Sequence, residues 1–236
     1  MFENSLPQSM AQPRVEIRPF MRQVYMWMTL GLLLTTGVSV AVYTIPSLLA
    51  LVMNPAILFG AIIAELVLVF ALSLAFNRLS AGAATAMFFA YAGLNGFTLS
   101  MIFLAYELGS IALAFGTTAI LFFVMTMIGL TTNIDLSKFR SFLMMAVIGL
   151  VIAMVVNIFL ASGPLDFIIS CAGVLIFTGL TAYDTQKLYR MAADPAIEGQ
   201  GAALLQKLSI MGALRLYLDF INLFLFILRI VGGRRD

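Results

Sequence analysis

Residues 142–161 read FLMMAVIGLVIAMVVNIFLA, twenty consecutive positions with no charge, no proline and one polar side chain, Asn157. As a helix rising about 1.5 Å per residue, this run is roughly 30 Å long, which matches the hydrocarbon core of a bilayer. Similar apolar runs recur at 24–45, 55–76, 83–106, 111–131 and 165–183. Each is long enough to cross. The breaks between them carry turn or polar signals: Pro46 with Asn54 and Pro55, then 77–80, Glu107 with Gly109, 132–140, and 162–166. Across all 236 residues, 62% are hydrophobic and 10% charged, with a mean hydropathy of +1.07. Such values lie far outside the soluble globular range, so the expected fold is an all-α membrane protein.

Composition also removes whole classes of chemistry. The chain has no histidine, which excludes a histidine triad, a histidine-ligated metal and an imidazole proton relay. The single cysteine, Cys171, sits in an apolar run and reads as packing. A net charge of +2 gives no reason to expect a nucleic-acid partner. No cofactor is expected. The obligatory partner is the lipid bilayer.

Positive charge orients the bundle, because cytoplasmic loops accumulate Lys and Arg. Arg14, Arg18 and Arg22 precede the first run, Arg78 follows the second, Lys138 and Arg140 follow the fourth, and Lys187 and Arg190 follow the sixth. The first, third and fifth connections contain neither residue type. The N-terminus is therefore expected in the cytoplasm, with 1–23 a polar tail, 24–232 one transmembrane domain and 233–236 a short polar tail. Because the first apolar run begins only near Val24, the tail does not read as a cleavable signal peptide.

The last segment, 203–231, is long enough to cross but carries Lys207, Arg215, Asp219 and Arg229. Gly212 interrupts its first part, so 203–211 as an interfacial turn before a short or re-entrant helix is the alternative to a full crossing. A helix with ionised residues at mid-length avoids lipid. The expectation is a seven-helix bundle with this helix central, enclosed by six spans. Small residues at helical spacing, Ala86 with Ala90 and Ala112 with Gly116, are expected where helices approach closely.

Polar groups within the apolar runs are few: Glu65, Asn95, Asn157, Asp184, Arg215, Asp219 and Asn222. Each is costly in a membrane unless paired or wetted. Asp184 lies at the inner end of the sixth run, and Asp219 has Asn222 on the same helical face. Two carboxylates meeting from different helices would share a proton and titrate as a pair. The spacing alone is equally consistent with two separate, solvated carboxylates.

The segments LTAYDTQKL (180–188) and ALRLYLDFINLFLFILRIVG (213–232) closely resemble the signature regions of the Bax-inhibitor-type (TMBIM) membrane protein family, in its bacterial branch. The resemblance extends from about Val24 to Gly232. It implies a seven-helix fold with the last helix enclosed by two layers of three. It also implies a pH-sensitive calcium leak, with Asp184 and Asp219 at the positions of the family's paired-aspartate latch and transient calcium contacts. Glu65, Asn222 and Arg78 are then candidates for the path. Arg215 departs from the pattern, four residues before Asp219, and either pairs with Asp219 or snorkels to the interface. Two other functions fit the same features. One is an interaction protein restraining a membrane quality-control protease or a stress response. The other is an intramembrane aspartyl protease, disfavoured because the second motif reads Leu-Tyr-Leu-Asp where such enzymes have Gly-x-Gly-Asp.

Overall fold

The computed structural model describes residues 17–75, 78–193 and 201–233. Nine helices follow in chain order: α1 (Ile17–Thr44), α2 (Pro46–Val52), α3 (Pro55–Leu74), α4 (Ala81–Leu99), α5 (Ile102–Ala105), α6 (Leu108–Thr131), α7 (Arg140–Leu160), α8 (Gly163–Ala192) and α9 (Ala202–Val231). Local chemistry sets their ends. Pro46, Pro55 and Pro164 sit in first turns, where a missing N–H costs no hydrogen bond. Asn54, Ser80 and Ser162 cap α3, α4 and α8 by accepting from Ala56, Ala83 and Leu165. Asn157 closes α7, since its Oδ1 accepts from Ser162 N at 3.1 Å beside Ala161, which takes a left-handed φ of 47°. Its place is structural, at a helix end.

Among the described residues, six helical segments are long and apolar enough to cross a membrane: α1, α3, α4 with α5, α6, α7 with the turn before it, and α8. The seventh, α9, has the length but carries the charges, and the fold hides it from lipid. More than half of its residues are buried, against two in α3 and one in α7. It packs on α8, α1, α6 and α4, while α3 backs α4 and α7 backs α8. The central helix is thus walled directly by four spans, with the other two outside them.

Three boundaries differ from the sequence expectation. Helix α1 begins at Ile17, inside the expected tail, because Phe20 and Met21 are already buried in the core and Pro19 is tolerated in a first turn. Residues 1–16 lie outside the described ones. Helix α8 runs to Ala192 and not to 183, since Tyr183, Leu188 and Ala192 keep an apolar stripe against its neighbours. Helix α9 is unbroken from Ala202, and Gly212 does not interrupt it. A Cβ there would lie 2.8 Å from Leu188 and 3.2 Å from Val24, so the glycine lets α8 and α1 approach. The close-contact positions are Gly31, Gly96, Gly129, Gly173 and Gly212. Ala86, Ala90, Ala112 and Gly116 are exposed instead, and no helix meets them closely.

The two ends of the bundle are chemically distinct. At one end Gln186 pins the α6–α7 connection, donating to Ile134 O at 2.8 Å and accepting from Leu136 N at 2.9 Å, while Arg190 pairs with Asp135. This is the Lys- and Arg-rich end, cytoplasmic by the charge rule. At the other, Gly233 N donates to Ser110 Oγ at 3.0 Å, and Arg229 lies 3.9 Å from Asp166. Helix α9 therefore crosses the whole bundle and finishes at the face opposite to Lys138 and Arg190.

Candidate functional site

Helices α8 and α9 run side by side, and the tight positions Gly173 against Phe226 and Gly212 against Leu188 fix their register. That register brings Asp184 level with Arg215, 3.7 Å between Oδ1 and Nη1. Asp219 lies one helical turn further along α9 from Arg215, on the helix that packs most closely against α8. Asp219 is 5% exposed, and its Oδ2 is buried with no hydrogen-bond partner among the described residues. The Asp184 side chain is 14% exposed and that of Arg215 42%, so the seam opens toward water on the Arg215 side. The Tyr25, Thr126 and Thr185 hydroxyls, brought near one another from α1, α6 and α8, are likewise buried without a well-formed hydrogen bond.

Arg215 therefore departs from the pairing with Asp219 that its spacing offered, while its partly exposed side chain at the Lys- and Arg-rich end agrees with an interfacial position. Its ion pair is made with Asp184 on the neighbouring helix, and not with Asp219 on its own. A carboxylate facing it across a helix contact is met more directly than one a turn further along its own helix. Asn222 turns back on its own helix, donating to Leu218 O at 2.8 Å. Arg78 is exposed in the α3–α4 turn and makes no hydrogen bond or ion pair with the seam among the described residues.

Glu65 belongs to a different cluster. Its Oε1 accepts from Thr98 Oγ1 at 2.7 Å and its Oε2 from Asn95 Nδ2 at 3.3 Å. The Tyr217 hydroxyl donates to Asn95 Oδ1 at 3.1 Å and lies 2.6 Å from Thr35 Oγ1, which is 2.8 Å from the Ala92 carbonyl. This chain joins α3, α4, α9 and α1. Sequence reasoning missed Thr35, Thr98 and Tyr217. The available signal was the tyrosine, whose hydroxyl needs a partner when its ring is buried at the centre of a bundle.

Two cavities flank the seam. The inner, about 270 Å³, lies between α3, α8 and α9 and is lined by Lys187, Arg215, Leu188 and Met211 among others. The outer, about 330 Å³, lies between α1, α4, α5, α6 and α9 and is lined by Thr35, Ser39, Phe115, Phe220 and Phe224 among others. Along α9, Arg215 faces one and Phe220 the other. Asp219 stands between them.

The chain matches the family described as Inhibitor of apoptosis-promoting Bax1 over residues 17–236. It is 48% identical over 228 residues to the inner membrane protein YbhL of Escherichia coli K12, covering 96% of this chain and 97% of that protein. It is 45% identical over 222 residues to an uncharacterized protein of Deinococcus radiodurans (94% and 93% covered), and 41% identical over 218 residues to one of Borreliella burgdorferi (92% and 93%). With six apolar spans around a charged central helix and matches of this length, the chain belongs to the Bax inhibitor family and is a multi-pass protein of a bacterial inner membrane.

Proposed function

We propose that the protein is a pH-sensitive cation leak, with calcium as the transported ion, in which Asp184 and Asp219 form a proton-controlled latch between α8 and α9. The observation that carries this reading is the seam itself: a buried Asp219 oxygen without a hydrogen-bond partner among the described residues, one turn along α9 from the arginine that pairs with Asp184 of α8. With one proton on the pair, the two groups coexist. Loss of that proton sets two like charges against one another and drives the helices apart. Arg215, tied to Asp184, holds part of the repulsion in check. Cavities lie on either side of Asp219 along α9, so a separation of α8 from α9 has space to open into. A hard divalent ion prefers oxygen ligands, and two carboxylates with nearby hydroxyls offer weak successive contacts suited to passage.

The test is calcium entry into liposomes containing only this protein, measured across pH. The expected result is an entry rate that changes with pH in the wild type and loses that dependence in Asp219→Asn. Absence of cation entry at every pH, with the protein folded, would favour the restraint of a membrane protease or another helix-bundle partner.

A further inference from the structure

The inner cavity has a second property that conduction does not require. Its walls at the membrane side are apolar, Leu74 of α3 with Leu208 and Met211 of α9, while its polar lining is cationic, Lys187 and Arg215. Arg140, at the start of α7, is close enough to Lys187 to act on it electrostatically. Lys187 Nζ lies 5.9 Å from the centre of the Tyr183 ring, and Arg215 pairs with Asp184. Lys187 and Arg215 thus face one partly exposed carboxylate, Asp184, with Arg140 near Lys187 and Asp219 enclosed behind. The excess is positive. It lies at the Lys- and Arg-rich end of the bundle, where the headgroups of the cytoplasmic leaflet begin.

We propose that the cleft between α3, α8 and α9 binds an anionic phospholipid of the cytoplasmic leaflet, its phosphate against Lys187 and Arg215 and its acyl chains against Leu74, Leu208 and Met211. Basic clefts between membrane helices on the cytoplasmic side suit such headgroups. A free phosphate would satisfy the cations but leave the apolar wall unused, whereas a zwitterionic lipid would fill the wall and leave the charge unmatched. A bound phosphate would also compete with Asp184 for Arg215. The proposal does not rest on conduction, because lipid retention is read without flux.

The experiment purifies the full chain from a mixed bilayer of phosphatidylglycerol and phosphatidylethanolamine and measures the retained lipids by mass spectrometry. Phosphatidylglycerol should be enriched over phosphatidylethanolamine, and Arg140→Gln with Lys187→Gln should reduce the enrichment by roughly fivefold per cation removed. Met211→Trp, which fills the apolar side and keeps every charge, should also lower retention. Thermal unfolding establishes that each variant is folded. Equal retention of the two lipids by the wild type would overturn the proposal, as would an unchanged ratio in the double variant. Unaltered retention in Met211→Trp would reduce the effect to general surface attraction. Complete displacement by millimolar inorganic phosphate would assign the site to free phosphate.

Discussion

Tyr217 and Asp219 stand two residues apart on α9 and meet opposite environments. Tyr217 closes a chain of hydrogen bonds through Asn95 and Thr98 to Glu65 and touches Thr35 on the other side. Asp219 has an oxygen with no partner among the described residues, and the arginine one turn before it is committed to Asp184 of the neighbouring helix. Both clusters place a carboxylate among apolar helices. A satisfied network has one arrangement and holds helices together, whereas an unsatisfied one can gain by rearranging or by exchanging a proton. In the proposed latch the Glu65 cluster is the clamp joining α3, α4, α9 and α1, and the Asp184–Asp219 seam is the part that moves.

Substitutions should separate the two roles. The largest loss of stability is expected from Asn95→Leu, which removes the donor to Glu65 Oε2 and the acceptor of the Tyr217 hydroxyl at once. It should cost on the order of 2 kcal/mol in reversible unfolding from mild detergent or bicelles, while the pH dependence of any remaining flux keeps its shape. Asp219→Asn should do the reverse, with stability changing by about 1 kcal/mol or less and the pH profile flattening. Arg215→Ser comes next. Removing the cation beside Asp184 leaves the charged form less favoured, so the flux midpoint should move to higher pH, by roughly one unit or less because the guanidinium is partly exposed.

The smallest effect is expected at Asp135, outside the spans. Hydrogen bonds from Ser137, side chain and backbone, and then from Arg190 hold its carboxyl below the usual range. A lowered folded value means that its contribution is present above the unfolded value near 4 and is lost as pH falls through the folded one. Asp135→Asn should therefore lower the unfolding temperature slightly at neutral pH. The difference from wild type should vanish in strong acid, and the flux midpoint should not move.

Much of the fold was legible because span length and apolarity leave few alternatives in a bilayer. The alternation of Lys and Arg among the connections agrees with a bundle whose two ends are chemically distinct. What stayed hidden depended on register between helices. The spacing from Arg215 to Asp219 suggested a contact within one helix, and only the packing of Gly173 and Gly212 shows that Asp184 is the nearer partner. Asn157 looked like an interior polar group and proved to be a helix end, a matter of two or three residues that hydropathy does not resolve. Thr35 and Thr98 carried no signal, since threonine in an apolar helix ordinarily bonds its own preceding turn. The continuation of α8 to Ala192 escaped because polar residues interleave its buried stripe, which is what an emerging helix end requires.

The central claim is that the seam moves with pH while the clamp does not. Pairs of spin labels in a Cys171→Ser background report this directly, one pair at exposed Tyr189 of α8 and Ala203 of α9, the other at Ile57 of α3 and Ala105 of α5. Between about pH 5 and 8, the first distance is expected to change over the interval in which calcium entry changes, and to stop changing in Asp219→Asn, while the second stays fixed. A pH-dependent flux with both distances constant, or with both moving together, would contradict the account.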